Sequence, residues 1–261
     1  MAGNSVQVRQ HRSIVMGHGG MIATAHPLAS AAGLQILRAG GNAADAALAA
    51  AAVTGVTICG TNSMGGDMFC LYYDAATHTL TGFNGSGGAP AAATIEEMRR
   101  RGHRHMPARG PLTVTVPGAV DGYCELHKRF ATMPLTRLFG EAIRYAEEGH
   151  PVAARTSSAI ATQAQELTVE DEWKRVYTPA GRAPMPGEIL KQPDLGWTLR
   201  QVAEGGRNAF YEGEVGRRIV AGLQQRDGLL TEADLRPHQT EVYTPISSSY
   251  RGLAIHETCP P

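Results

Sequence analysis

Three glycine-bearing loops carry the residues of this sequence whose types and spacing could do chemistry. They are residues 60–67, 84–90 and 116–118. In the second loop, small residues in a row leave several backbone N–H groups exposed, and such groups can form a concave nest that binds an anion. The same composition is equally typical of a mobile loop. The residues alone leave both interpretations open.

The other two loops have simpler structural interpretations. A phosphate-binding loop needs Gly-Lys-Ser or Gly-Lys-Thr at the start of a helix, and a dinucleotide site needs its glycines between a strand and a helix. Loop 60–67 connects a predicted helix to a predicted strand instead. This order favours a tight turn where backbones approach closely. Loop 116–118 favours a structural stop over a binding site.

Neither a metal centre nor a catalytic triad is indicated. His103 and His105 share a loop, but no carboxylate or cysteine lies at ligand spacing. No Gly-x-Ser-x-Gly elbow occurs, although counting residues leaves a dispersed Ser-His-Asp arrangement open. The cysteines lie far apart, so we interpret them as small core residues in a reducing compartment, with a disulfide as the weaker alternative. They are Cys59, Cys70, Cys124 and Cys259. No metal, no cofactor and no catalytic residue is predicted in this chain.

Charge and hydropathy narrow the class of partner. Lys plus Arg and Asp plus Glu are balanced at 24 each, and the basic run 99–104 is interrupted by Gly102 and His103. Neither nucleic acid nor an anionic membrane is therefore indicated as a partner. The most apolar segment, residues 43–60, is rich in alanine and contains Asp45, which favours a buried helix over a membrane span. Because no apolar signal-peptide segment occurs near the N-terminus, we expect a cytoplasmic protein.

The elements that must position these loops are mainly helices. His26-Pro27 opens a helix that Gly40-Gly41 ends, because proline is tolerated in a first turn and glycine adopts the left-handed C-cap. Asn42 caps the next helix, whose alanines allow close packing, so we expect that helix to be central. Thr94 begins a short helix through a capping box. Further helices are predicted at 122–130, 135–148, 153–167, 195–203 and 215–223, and from Thr231.

Strands are predicted where β-branched and aromatic residues concentrate. They are residues 21–24, 67–73, 79–83, 112–116 and 250–257. The second and third form a hairpin, and 112–116 has the clearest alternation. The last strand precedes Pro260-Pro261 and has no predicted partner in this chain, so we expect another polypeptide to complete the fold. The mixture favours a layered α/β or α+β domain.

Several blocks around these loops occur together and in order between Gly20 and Pro261. They read GMIATAHPLASAAGLQILRAGGNAADAALAAAAVTGV, NSMGGDMF, NGSGGAPAAAT, LTVTVPGAVDGY and LTEADLRPHQTEVYTPISSSYRGLAIHETCPP. Together they resemble the γ-glutamyltranspeptidase family. The resemblance implies an α+β fold of the N-terminal nucleophile hydrolase type, a four-layer αββα sandwich. Residues 1–261 are then the large-subunit portion of a single such domain, completed by a second chain.

The resemblance also implies a mechanism. The family is made as a proenzyme that cuts itself before a threonine, which becomes the first residue of the small subunit. The threonine hydroxyl attacks an amide carbonyl, its own α-amino group acts as the base, and N–H donors hold the oxyanion. This chain ends before that region, so no nucleophile is assigned here. The implied partner is the small subunit of the same proenzyme, and a dimer of such heterodimers is one assembly open to it.

One departure from the family bears on the substrate. The position that matches Ser86 is an arginine in typical members, where its planar fork binds the α-carboxylate of a γ-glutamyl group. Losing such a contact costs about 1.5 to 3 kcal/mol of binding. The candidate substrate-binding residues are Asn84, Gly85, Ser86 and Gly87, with Arg109 as a possible substitute cation, although a surface-loop arginine is the commoner case.

The family includes enzymes that cleave other amides, among them cephalosporin acylases and the oxamate amidohydrolase of purine breakdown. Oxamate carries its carboxylate next to the scissile amide, where a short serine and bare backbone N–H groups could reach it. We therefore expect a small-molecule amidohydrolase with oxamate as the leading substrate. One alternative is γ-glutamyl hydrolysis or transfer with the carboxylate held by the small subunit. The other is a non-catalytic binding or scaffold subunit.

Overall fold

The computed structural model describes residues 14–166 and 171–260. The N-terminal residues 1–13, the predicted helix end at 167 and Pro261 lie outside the described residues. The helices are α1 Pro27–Arg38, α2 Ala43–Thr57, α3 Ile95–Arg100, α4 Ala119–Phe130, α5 Leu135–Leu138, α6 Gly140–Glu147, α7 Ala154–Glu166, α8 Asp171–Tyr177, α9 Pro193–Tyr211, α10 Glu214–Gln224 and α11 Glu232–Leu235. The strands are β1 Met68–Asp74, β2 Thr79–Gly85, β3 His150–Pro151, β4 Ile189–Leu190, β5 Glu241–Tyr243, β6 Ile246–Tyr250 and β7 Leu253–Glu257.

The first two helices form the centre of the molecule, as predicted. His26 caps α1 by accepting a hydrogen bond from the Leu28 N–H, and Asn42 and Asp45 form a reciprocal capping box at the start of α2. The alanines of α2 allow α1 to pack closely, since even a Cβ on Gly33 would lie 3.0 Å from the Ala46 carbonyl oxygen. The main hydrophobic core then forms around α2, α4, α6 and α9.

An antiparallel sheet of order β1-β2-β5 lies beside this core. Its inner face packs against α4, where the Tyr72 ring stacks on Phe130 with centroids 4.1 Å apart. The outer face carries Phe69, Leu71 and Tyr73, which are 46%, 38% and 56% exposed. The alternation of β1 therefore places apolar side chains on both faces, of which only the inner face is covered by the described residues.

A second, smaller core lies under the β3-β4 pair. It consists of Cys59, Val152, Ile160 and Leu190, with Trp173 and Tyr177 packed against it. All four cysteines of the chain carry free thiols, so the disulfide alternative is wrong. Burial raises the pKa of the Cys59 thiol to about 11, which suits a core residue.

Three predicted strands need correction. Residues 111–113 form a 3-10 turn, and the following residues stay extended without a strand partner because the Val116 N–H donates to the Gly88 carbonyl of a loop. Residues 21–24 also form no ladder. The strand predicted at 250–257 is in fact a hairpin of β6 and β7, so its partner comes from this chain. Arg251 and Gly252 both have positive φ, which matches the primed turns of two-residue hairpins.

The arrangement confirms the α+β class. Antiparallel strands and helices are layered on one core rather than alternating in βαβ units. Among the described residues, no helix is both long enough and apolar enough to cross a bilayer.

Candidate active site

The three glycine-bearing loops meet at one edge of the sheet, where β1 begins and β2 ends. The Gly66 carbonyl oxygen accepts hydrogen bonds from the N–H groups of Gly118 at 3.0 Å and Ala119 at 2.8 Å. The Gly88 carbonyl oxygen accepts one from Val116 at 3.0 Å. Segments that are 28 to 53 residues apart in sequence therefore form a single site.

Two glycines make this convergence sterically possible. A Cβ on Gly87 would overlap the carbonyl oxygen of Val116, and a Cβ on Gly118 would overlap the carbonyl oxygen of Gly85. No side chain fits at either position without moving backbone. Loop 116–118 is thus more than the strand stop predicted from its sequence, because it forms one wall of the site.

Asn84 organises the turn that contains the candidate substrate-binding residues. It is buried at the end of β2, and its Oδ1 accepts hydrogen bonds from the Ser86 N–H at 3.0 Å and the Ser86 hydroxyl at 2.6 Å. The Gly87 N–H points to Asp67 Oδ1 at 3.4 Å. The expectation of bare backbone N–H groups in this loop therefore fails at Ser86, whose acceptor is Asn84, and at Gly87, whose acceptor is Asp67 of loop 60–67.

The side-chain amide of Asn84 is the least committed donor of this turn. Its Nδ2 atom carries two N–H bonds, and the one acceptor within reach among the described residues is Glu241 Oε2 at 3.5 Å. Asp67 and Glu241 place two carboxylates beside the turn. In the described part of the chain, no arginine or lysine bonds to residues 84–88, so this half of the site carries no cation.

Arg109 is not brought into this turn. It lies on the exposed loop after α3, and within the described ranges it forms no ion pair or hydrogen bond with residues 84–87. The structure thus gathers Asn84, Gly85, Ser86 and Gly87 in one place and leaves Arg109 apart from them.

A buried polar cluster beneath the site was not predicted. Asp121, in the first turn of α4, accepts hydrogen bonds from Arg207 Nε at 2.7 Å and from the Thr240 N–H at 2.6 Å. The Tyr211 hydroxyl donates to the Pro117 carbonyl oxygen at 2.6 Å. These partners lie 86 to 119 residues apart, so spacing gives no signal of the cluster.

A histidine belongs to the same cluster. His238 Nε2 is buried and has no hydrogen-bond partner among residues 14–166 and 171–260, and a Cβ on Gly118 would lie 3.1 Å from it. Burial lowers the pKa of His238 from its ordinary range. The imidazole behind the site wall is therefore neutral near pH 7. The described residues contain no group of three or more His, Cys, Asp or Glu placed to hold a metal.

Comparison with known proteins shows which family this chain belongs to. The family model described as Gamma-glutamyltranspeptidase matches residues 29–261. The chain belongs to the γ-glutamyltranspeptidase family. It is 36% identical over 257 residues to the oxamate amidohydrolase proenzyme of Klebsiella pneumoniae, covering 96% of this chain and 48% of that protein. It is 35% identical over 247 residues to the glutathione hydrolase-like YwrD proenzyme of Bacillus subtilis, covering 94% and 47%.

Solved structures of the family have the same fold. The cephalosporin acylase from Bacillus halodurans superimposes with a TM-score of 0.93 at 38% identity, over 99% of this chain and 49% of that chain. This likeness confirms the predicted fold of the N-terminal nucleophile hydrolase type. The chain spans about half the length of the two proenzymes named above.

Two large cavities of the described residues do not include residues 84–90 or 116–118, although loop 60–67 lines the first of them. One of 780 Å³ lies between residues 60–63 and α8, where Trp173 and Tyr177 line it. Another of 840 Å³ lies between residues 19–25 and α2. We place the candidate site at the three loops regardless of cavity size, because an open edge beside an uncovered sheet face encloses no volume. It is defined instead by converging backbone and polar side chains.

Proposed function

We propose that this chain is the large-subunit half of a self-processing amidohydrolase of the γ-glutamyltranspeptidase family. The observation that carries the proposal is the Asn84–Gly87 turn, held by three converging loops at one edge of the sheet. The uncovered apolar face of β1 beside this edge supports a covering element from the other half of the proenzyme. The partner is the small subunit.

The proposed chemistry divides between the two halves. A hydroxyl of the small subunit attacks the amide carbonyl of the substrate, and its proton passes to the departing amine as the C–N bond breaks. Water then hydrolyses the resulting ester, which releases the acid and frees the hydroxyl. The large subunit contributes binding. Asn84 Nδ2 donates to a substrate oxygen, and the rigid turn of Gly85, Ser86 and Gly87 fixes the position of that contact.

Oxamate is the leading substrate, giving oxalate and ammonia. Ser86 stands where an arginine is expected for a γ-glutamyl carboxylate, and no cation of the described chain bonds to the turn. A small substrate whose carboxylate adjoins its amide does not need a remote arginine. One relative with 36% identity is named an oxamate amidohydrolase proenzyme, which supports the same substrate class.

Hydrolysis of a γ-glutamyl amide such as glutathione is the second candidate. A relative with 35% identity is named a glutathione hydrolase-like proenzyme, so sequence identity favours neither substrate. In that case the α-carboxylate is held by residues of the small subunit, and the carboxylates of Asp67 and Glu241 are available to the α-ammonium group instead.

A substrate panel on the complete precursor tests the proposal. Ammonia release from oxamate and p-nitroaniline release from γ-glutamyl-p-nitroanilide are measured side by side with the same enzyme preparation. Turnover of oxamate with little γ-glutamyl turnover is the expected result. The reverse pattern moves the assignment to γ-glutamyl hydrolysis. Absence of turnover on both substrates and on a cephalosporin amide supports the scaffold alternative.

A further inference from the structure

The last two turns of α9 are set apart from the rest of the helix. Gly206 has φ 60° and ψ −148°, which interrupts the helix immediately before Arg207. Arg207 and Tyr211 then lie four residues apart on one side of the final turn, with the guanidinium 4.9 Å from the centroid of the Tyr211 ring. The interruption therefore aims both side chains at the wall of the site.

The Tyr211 hydroxyl both donates and accepts a hydrogen bond, and both partners lie within residues 117–121. The hydroxyl donates to the Pro117 carbonyl oxygen at 2.6 Å and accepts from the Asp121 N–H at 3.1 Å. The side chain is only 1% exposed, so water cannot replace either bond. Without the hydroxyl, a buried carbonyl and a buried N–H would both lack partners.

Arg207 extends this contact to the segment that leads into β5. Its Nε bonds to the carboxylate of Asp121, and its Nη2 donates to the carbonyl oxygens of Arg236 at 2.8 Å and His238 at 2.7 Å. Three of its donors are therefore committed in one planar arrangement, which a lysine could not reproduce.

The Pro117–Gly118 turn, which Tyr211 contacts, lies directly against the candidate binding residues. The two backbones approach so closely that a Cβ on Gly118 would overlap the Gly85 carbonyl oxygen. We propose that Tyr211, supported by Arg207 and Asp121, is a positioning residue that holds the Pro117–Gly118 turn against residues 84–87 and so sets the substrate geometry. This inference rests on the proposed function of that site.

A purely structural role is the competing explanation, and the chain offers a matched control for it. Asp45 is also a buried carboxylate in the first turn of a helix, and it accepts hydrogen bonds from Thr132 and Met133. These contacts join the start of α2 to the segment after α4, and none of their residues lies in the three loops. Substitution of Asp45 therefore reports on stability alone.

The test compares Tyr211→Phe with Asp45→Asn in the complete precursor. Steady-state kinetics on oxamate or the panel amide that the wild type cleaves is measured well below each melting temperature. In the same samples, hydrogen exchange is followed in peptides that contain Gly118 and Ala119. For Tyr211→Phe we expect KM to rise about 10-fold and exchange of these amides to accelerate about 10-fold, while Asp45→Asn changes neither.

A wild-type KM and wild-type exchange in Tyr211→Phe, with only a lowered melting temperature, would overturn the positioning role. If Tyr211→Phe does not fold, Arg207→Lys carries the same two expectations. If the wild type cleaves no amide in the panel, the proposed function fails separately, and the exchange measurement still decides whether Tyr211 holds the turn.

Discussion

Two buried carboxylates in this molecule occupy the same local position and have different surroundings. Asp45 and Asp121 are each the third residue of a helix, and both are at most 6% exposed. Asp45 receives hydrogen bonds from uncharged groups of the same polypeptide, at Asn42, Thr132 and Met133. Asp121 instead pairs with the Arg207 guanidinium.

The difference shows how the scaffold and the site are stabilised. Burial alone would raise the pKa of Asp45, but the hydrogen bond from Thr132 and those from backbone N–H groups lower it overall. That carboxylate completes the cap of α2 and also fastens the segment after α4, 87 and 88 residues away, to the start of α2. Asp121 joins α4, α9 and the lead into β5 through a charged pair. Both carboxylates therefore join distant segments, but Asp45 does so through uncharged donors and Asp121 through a charged partner beside the site.

The largest expected effect comes from the glycines of the site. Gly87→Ala is expected to lower the free energy of unfolding by at least ~3 kcal/mol, since its Cβ would overlap the Val116 carbonyl. Gly88→Ala is the matched control, because its Cβ meets nothing within 4 Å. Chemical denaturation of both variants checks this. Equal stability of the two would contradict the close approach of the loops.

A change of similar size in the free energy of unfolding is expected from the titration of His150, which lies outside the three loops. His150 is fully buried, neither ring nitrogen has a hydrogen-bond partner in the part of the chain that the structure describes, and burial together with nearby His26 lowers its pKa to about 4. An unfolded histidine titrates near ~6.5, so only the unfolded state gains a proton between these values. The contribution of His150 to the free energy of unfolding should therefore be complete above about pH 6.5. The free energy of unfolding should fall by about 3 kcal/mol as the pH falls to about 4.

Denaturation at a series of pH values measures this loss. The control is His150→Leu, which removes the titrating group and the two unpaired nitrogens while filling the same space. Its stability should vary less between pH 6.5 and pH 4 than that of the wild type. An unchanged pH dependence in this variant would assign the effect to other groups.

The paired carboxylates give the next prediction. Asp121→Asn and Asp45→Asn should each destabilise the protein by about 2 kcal/mol, because an amide cannot accept all the hydrogen bonds of a carboxylate. Only Asp121→Asn should also weaken substrate binding. Melting temperatures and KM values of the two variants separate the effects. An equal rise of KM in both would erase the distinction between the two regions.

The smallest effect is expected at Arg109. Because this exposed side chain forms no hydrogen bond or ion pair with residues 84–87 in the described ranges, Arg109→Ala should change KM by less than about 3-fold with little effect on stability, and a rise of about 10-fold would contradict this placement. Arg104→Ala, another exposed arginine of the same loop, serves as the control. A wild-type KM in Arg109→Ala would remove Arg109 from the candidate binding residues.

Local chemistry of the sequence predicted much of this fold. The caps at His26, Asn42 and Thr94 begin helices where expected, because capping depends on a few adjacent residues. The strand predicted at 112–116 failed for the opposite reason. Its β-branched alternation is typical of a strand, but its backbone partner is a loop carbonyl, which no local pattern encodes.

The candidate site was predictable only in part. Each glycine loop stood out from its composition, and the family resemblance indicated that residues 84–87 bind substrate. The contact between the loops was not predictable. The same is true of the Asp121–Arg207 pair, whose residues are 86 positions apart. Such pairs follow from tertiary packing, so single-residue types and short spacings give no sign of them.

Residues 84–87 are proposed to bind an amide whose carbonyl is attacked by a hydroxyl of the other half of the precursor. Intact-mass spectrometry of the complete protein, before and after rapid mixing with a substrate it turns over, tests this most directly. We expect two chains, with the smaller one beginning at threonine and carrying the transient acyl group. An uncut polypeptide that still cleaves amides, or an acyl group on the chain described here, would contradict it.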